Sequence, residues 1–196
     1  TPDATFNSGT SISVIPFYIT PSIPNAIHVQ ADGKIIVGGS FHYYQGVTAK
    51  NLIQLHPDGS RDMSYEISPG FDRYVTSINV QQNGKLIVTG TFWSYNNKQA
   101  GGIIQLHENG AHDNSFNPGV GVVGTITKLA TQADDKLIAI GEFTEYNGTS
   151  VGPIIRLQTN GILDTTFQLD TAVHMLPRGV HIQNDGKILV GGLNKI

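Results

Sequence analysis

Three aspartates stand 51 residues apart, at Asp62, Asp113 and Asp164. Carboxylates do general acid–base work and hold hard cations, so a recurring set invites a metal or catalytic reading. Each one, however, follows a turn: Asp58-Gly59-Ser60, Asn109-Gly110-Ala111 or Asn160-Gly161-Ile162. A carboxylate placed there can accept backbone N–H groups of its own turn. Sites are usually singular and scaffold features recur, so the spacing assigns all three to turn structure. The Asp-Gly and Asn-Gly pairs do not match the spacing of an EF-hand loop either.

The seven histidines come next. His28 and His181 share one repeat position, three periods apart, with Asn79 and Ala130 at the positions between. That position falls in the first strand of each unit, which would line a central channel. Two channel histidines could hold a metal or an anion. Hydrated channel lining is the simpler reading, and no metal or other cofactor is expected. His56 and His107 also coincide, with Gln158 in the third unit, and are expected on the surface.

No catalytic residue is assigned. There is no G-x-S-x-G elbow, no phosphate loop and no H-E-x-x-H. Gly38-Gly39-Ser40 leads into no helix that could cradle a phosphate. Cysteine is absent, which removes thiol nucleophiles, a disulfide framework and Cys-based zinc sites. Carboxylates do not cluster in one unit as a hydrolase would need. Asn147-Gly148-Thr149 matches a glycosylation sequon, but it occupies a turn of the repeat.

What remains is aromatic. After a shared Phe the units read His42-Tyr43, Trp93-Ser94 and Thr144-Glu145. Trp93 is the only tryptophan. Phe17 and Tyr18 lie in residues 8–24, a stretch with three prolines that holds eight residues more than the matching connection later in the chain. Aromatics on loops of a rigid scaffold are the usual means of contacting proteins or glycans. Phe17, Tyr18, Tyr43 and Trp93 are therefore the candidate binding residues. Packing of Trp93 against a neighbouring repeat is the equally good structural alternative.

The elements that position these residues follow from the same period. The hairpin signal Asp32-Gly33-Lys34 returns as Asn83-Gly84-Lys85, Asp134-Asp135-Lys136 and Asp185-Gly186-Lys187. Ile53, Ile104 and Ile155 coincide, as do Phe41, Phe92 and Phe143, and Tyr44, Tyr95 and Tyr146. In the second unit Val75-Thr76-Ser77-Ile78-Asn79-Val80 alternates apolar and polar residues, which predicts a strand. Asn83-Gly84 predicts a tight hairpin with positive φ at both residues. Residues 85–90 predict a second strand covered on both sides, and 102–106 a third. Residues 93–99 read as a loop, and 113–116 as a short outer edge strand. A glycine ends the second strand in all four units, at Gly39, Gly90, Gly141 and Gly192, and predicts a bulge or close backbone approach.

Four short antiparallel strands in each unit of about 40–50 residues describe a β-propeller blade. A solenoid would have shorter coils and no need of two hairpins per repeat. The expected fold is all-β, a propeller or propeller segment of four-stranded blades. Its units run over 1–24, 25–74, 75–125, 126–176 and 177–196, the first and last being partial. The run from Asp32 to Phe41, followed by Tyr44-Gln45-Gly46, residues 55–60 and Asp62, resembles the delta-60 repeat, a bacterial and phage propeller repeat. The resemblance spans nearly the whole chain. Asp135 in place of a hairpin glycine, and Tyr65 where Phe116 and Phe167 stand, are departures from it. It implies an extracellular, cell-surface or virion-associated domain and no reaction.

The formal net charge of −3 gives no electrostatic reason to bind nucleic acid or an anionic membrane. No apolar run approaches the ~20 residues of a membrane helix. The expectation is a non-enzymatic repeat domain that mediates attachment or assembly, with a propeller hydrolase or lactonase and a plain structural spacer as rivals. Its partners would be a protein or glycan surface, or further repeats or subunits along an open edge at residues 187–192, unless the N-terminal segment covers that edge.

Overall fold

The computed structural model describes residues 12–13, 22–65, 67–169 and 175–194. Among them every regular element is a β-strand, and all pairings are antiparallel. The first blade holds β1 (Ile12–Ser13), β2 (Ile23–Val29), β3 (Ile35–Ser40), β4 (Tyr43–Tyr44), β5 (Val47–Thr48) and β6 (Leu52–Leu55). The second holds β7 (Val75–Val80), β8 (Leu86–Gly90), β9 (Ser94–Tyr95), β10 (Lys98–Gln99) and β11 (Ile103–Leu106). The third holds β12 (Val122–Thr131), β13 (Leu137–Tyr146), β14 (Thr149–Ser150) and β15 (Ile154–Leu157). Of the fourth, β16 (Met175–Ile182) and β17 (Ile188–Asn194) are described.

Each complete blade orders its main strands first–second–third: β2-β3-β6, β7-β8-β11 and β12-β13-β15. The fold is a β-propeller repeat array. The first strands lie side by side, β2 beside β7, β7 beside β12 and β12 beside β16. The outermost fourth strand is one bridged pair long, Leu55 with Arg61, Leu106 with His112 and Leu157 with Leu163. The expected edge strand over 113–116 is thereby corrected. The bridge falls one residue earlier, and the aspartate that follows turns the chain instead of extending it.

The hairpins also differ from expectation. Gly33, Gly84 and Gly186 have φ of 83°, 79° and 83°, but the preceding Asp or Asn does not share the positive φ. Its side chain accepts an N–H instead, as Asp32 does from Lys34 at 3.0 Å and Asn83 from Lys85 at 3.0 Å. Gly33 N donates to Gln30 O and Gln30 N to Lys34 O, which is a type I turn closed by a glycine bulge. Two-residue turns with paired positive φ occur elsewhere, at Gln45-Gly46, Asn96-Asn97 and Asn147-Gly148. They tip the small hairpins β4–β5, β9–β10 and β13–β14, so residues 93–99 form a hairpin rather than a loop.

Gly39, Gly90, Gly141 and Gly192 sit opposite Pro24, Val75, Ile126 and Pro177, and the register slips by one immediately after each pair. A Cβ on these glycines would collide with the carbonyls of Ile23, Tyr74, Thr125 and Leu176. The close approach predicted from the sequence is present, and the bulge lies on the partner strand, at Asn25, Thr76, Thr127 and Arg178.

The core consists of the joints between blades. Ile36, Leu52 and Tyr65 of the first blade share a cluster with Val88, Phe92, Tyr95 and Ile104 of the second. Ile87, Ile103 and Phe116 share the next with Ala139, Phe143, Tyr146 and Ile155 of the third. Alternate residues of one strand thus face opposite neighbours, because side chains of a strand alternate across its sheet. Ile53, Ile104 and Ile155 are buried, at 1%, 1% and 4% exposure.

Candidate functional site

The recurrent aspartates build turns. Asp62 Oδ1 accepts Ser64 N at 2.8 Å and Ser64 Oγ at 2.5 Å. Asp113 repeats this with Ser115 at 2.9 and 2.7 Å, and Asp164 with Thr166 at 3.1 and 2.6 Å. The second carboxylate oxygen takes a cation: Lys34 at 3.0 Å from Asp62, Lys85 at 2.6 Å from Asp113, Arg156 at 2.8 Å from Asp164. Burial pushes the Asp62 carboxyl up, but the Ser64 hydroxyl, Lys34 and the Ser64 N–H outweigh it and hold the group at about 2. Asp113 is depressed by the same combination. Such carboxylates stay ionised, with one oxygen in the turn and the other beside a cation.

The third unit changes the partners. Gln54 donates to Gln30 at 2.6 Å, and Gln105 to Gln81 at 2.5 Å. Arg156 replaces that glutamine, reaches Asp164 and lies 4.9 Å from the centre of the Phe167 ring. Lys136 pairs with Asp134 instead, and Gln132 Oε1 is left without a protein partner.

His28 is half-buried on β2 and His181 exposed on β16. They belong to the first and fourth first-position strands, with two whole blades between them along the chain. At the same register Asn79 accepts a hydrogen bond from Thr131 Oγ1 of the next blade at 2.8 Å. Among the described residues no three His, Asp or Glu side chains gather in a way that could hold a metal ion. His56 and His107 are close to half exposed, at 44% and 48%, as their place before a turn predicts.

The aromatic candidates divide. Phe17 and Tyr18 lie outside the described residues. Their position in the chain is nonetheless bounded: Ile12 pairs with Tyr44 where Phe71 bridges Tyr95 and Val122 pairs with Tyr146. The eight extra residues therefore fall between Ile12 and Pro24. Tyr43 is partly exposed in the first small hairpin, and Trp93 is 50% exposed beside the second. The Trp93 backbone is firmly held. Asp72 accepts the N–H groups of Trp93 and Ser94, each at 3.0 Å. Ala100 N returns to the Trp93 carbonyl at 2.8 Å.

Sequence reasoning missed Tyr74, which is 42% exposed and whose carbonyl accepts Thr91 N beside the same loop. The asparagines of the small hairpins were missed as well. Asn96 Oδ1 accepts Ser68 N at 3.2 Å and Gly70 N at 2.8 Å, and Asn147 Oδ1 accepts Val120 N at 3.1 Å. The Asn147 side chain in the sequon thus ties down the connection between blades. The only available signal was the recurrence of Asn at period 51.

A cavity of about 420 Å³ is lined by Ile154, Phe167 and Leu169, among others, on the forward face of the third blade. In the earlier joints the matching Leu52 and Ile103 are covered by the third strand and small hairpin of the following blade.

A family pattern described as a β-propeller domain of unknown function, DUF5122, matches residues 30–65, 81–116 and 132–167, together more than half of the chain. The chain belongs to this family. Each DUF5122 match starts at the buried glutamine, Gln30 or Gln81, or at its counterpart Gln132. Each ends at the aromatic Tyr65, Phe116 or Phe167 that packs across the joint. The match supports a propeller repeat and does not carry the delta-60 name. No curated protein matches the chain. Among solved structures, the DUF5122 chain is similar to a catalytically inactive virginiamycin B lyase from Staphylococcus aureus determined with quinupristin. That likeness has 14% identity and a TM-score of 0.47, and covers 93% of this chain and 53% of the lyase. The chain thus spans about half the length of that structure. A protein of unknown function from Bacteroides caccae is similar at 12% identity and a TM-score of 0.34, with 75% of this chain and 70% of that one covered.

Proposed function

We propose that this chain is a non-enzymatic β-propeller repeat domain that mediates attachment or assembly by offering exposed aromatic side chains to a protein or glycan surface. The observation that carries this reading is Trp93. Its indole is 50% exposed, while Asp72 pins the backbone beneath it. A large rigid ring on ordered backbone loses little conformational entropy when it binds. Tyr74, 42% exposed, and the partly exposed Tyr43 are further aromatic candidates, and the residue of the third unit that matches Trp93, Thr144, is not aromatic, as expected of a position outside the scaffold. The buried carboxylates, in contrast, are engaged in turns and ion pairs. A bacterial surface or secreted protein, or a phage tail or virion, is the setting that suits such a domain.

The test is a glycan array probed with the labelled 196-residue chain and with Trp93→Ala. The expected result is binding to a subset of glycans, lost in Trp93→Ala at unchanged melting temperature. Binding indifferent to Trp93→Ala would remove the aromatic surface. Hydrolysis of an array member would favour the enzyme reading instead.

A further inference from the structure

The bridged pair at the outer edge of each blade holds a position that varies, Arg61, His112 and Leu163, just before the aspartate that recurs. In the first unit the Arg61 side chain reaches the small hairpin, and its Nη1 donates to the Thr48 carbonyl at 2.6 Å. The ladder leaves that carbonyl available. A two-residue turn closes on Tyr44 and Val47, so the next pair, Tyr43 and Thr48, turns its N–H and C=O groups outward. The second unit repeats the ladder at Ser94 and Gln99. On the Ser94 side Asp72 takes the outward groups: its Oδ1 accepts Ser94 N at 3.0 Å and its N donates to Ser94 O at 3.3 Å. On the Gln99 side the chain has His112 where the first unit has Arg61. An imidazole is too short for the same reach, and His112 Nδ1 has no protein partner.

A cavity of about 170 Å³ lies at this place. Gln99, His112, Asn114 and Asn117 give it polar groups, and Ile103 and Phe116 give it an apolar wall. All its lining falls within residues 99–119, inside the repeat and among the described residues.

The lining selects the chemistry of a guest. A guanidinium would copy Arg61, but Lys98 stands where the first unit has Val47. Burial pushes the His112 pKa down and the Lys98 charge adds to it, so the imidazole is neutral and a further cation is disfavoured. No Asp, Glu, Lys or Arg lines the cavity, so a charged guest would lose hydration without gaining a counter-charge. The fitting guest is neutral. It donates an N–H to a backbone carbonyl, accepts from side-chain amides and carries a small apolar group. An acetamido group does all three.

We propose that this cavity is a subsite for the acetamido group of an N-acetylhexosamine. The acetamido N–H takes the place at the Gln99 carbonyl that the Arg61 guanidinium holds at Thr48. The acetyl carbonyl accepts from the Asn114 or Asn117 amide, and the methyl rests on Ile103 and Phe116. The volume suits one sugar ring rather than a chain of them. The subsite names a sugar class for the glycan reading but rests on the cavity alone, because Trp93 does not line it.

Saturation-transfer NMR on the 196-residue chain is the test, with N-acetylglucosamine, glucose and glucosamine each titrated to about 20 mM, a range that covers the weak binding of a single small ring. The expected result is saturation of the acetyl methyl of N-acetylglucosamine, with none for glucose or the cationic glucosamine. The Gln99 and Asn114 amide resonances of the wild type should shift with it, which locates the site without any variant. His112→Arg fills the cavity as Arg61 does in the first unit, and should weaken binding by at least ~10-fold at unchanged melting temperature. No methyl saturation, equal binding of glucose, or shifts confined to other residues would each overturn the proposal. Nε-acetyl-lysine bound as tightly as the sugar would transfer the site to acetylated protein and remove the sugar. Trp93→Ala should leave the methyl signal unchanged, so this subsite and the aromatic surface fail separately.

Discussion

The Asn25 side chain crosses a blade joint: its Nδ2 donates to the Val75 carbonyl at 2.8 Å. One period on, Thr76 Oγ1 donates to the Ile126 carbonyl at 3.0 Å. Asn25 and Thr76 are the residues set out of register by the bulges opposite Gly39 and Gly90. The bulged side chain reaches the neighbouring blade, and the Thr76 hydroxyl also lies 3.1 Å from the Thr89 carbonyl of its own sheet. A hydrogen bond of this kind is worth about 1 kcal/mol net. Thr76→Val keeps the shape and removes the donor, so it should lower unfolding free energy by ~1 kcal/mol in urea titrations. An unchanged midpoint would mean that the joint does not depend on this bond.

Core and surface positions should respond differently to truncation. Ile104 is 1% exposed within the joint of the first and second blades, so Ile104→Ala should cost about 2–5 kcal/mol. Trp93→Ala should cost far less, within about 1 kcal/mol, because half of the ring already lies in water. Parallel thermal melts compare the two. A loss at Trp93 equal to that at Ile104 would return the indole to the core.

Acid should destabilise the fold through the turn aspartates. An unfolded aspartate titrates near ~3.9. The folded Asp62 carboxyl lies at about 2, held there by Ser64 and Lys34 against the opposing effect of burial. The folded value is the lower one, so the stabilisation is complete above about pH 5 and is lost as the pH falls through about 4 to 2. Asp62→Asn should be less stable than wild type at pH 7 and should show a shallower fall in melting temperature between pH 5 and 2. Parallel curves for the two proteins would show that Asp62 is not linked to folding.

Two glycines separate backbone crowding from open space. A Cβ at Gly141 would run into the Thr125 carbonyl, whereas one at Gly152 would meet nothing within 4 Å. Gly141→Ala should therefore cost about 3 kcal/mol or more, and Gly152→Ala should stay within about 0.5 kcal/mol. Chemical denaturation of both variants checks the pair, and equal stabilities would show that the bulge at Thr127 can shift to make room.

The period of 51 was legible because spacing survives changes of side chain. The hairpin glycines, the buried isoleucines and the turn aspartates could each be placed without coordinates. Their chemistry is local: a glycine that must take positive φ, a carboxylate that accepts the N–H two residues on, an apolar residue in a strand with both faces covered. Turn type was less legible. Asn83-Gly84 and Asn96-Asn97 both suggest a tight turn, yet only the second has positive φ at both residues. The difference lies in how many residues the flanking strands leave between them.

By itself the sequence determined the repeat, the strand order within a blade and the division of residues into scaffold and variable loop, because these rest on periodicity and local backbone preference. Only the tertiary structure decided which neighbour each buried residue faces. It also decided that Asp72 holds Trp93 from 21 residues away and that Arg156 takes the place of Lys136 at Asp164. Those relations join residues that no local preference connects. They depend on how one twisted sheet lies on the next, and a spacing along the chain carries no record of that distance in space.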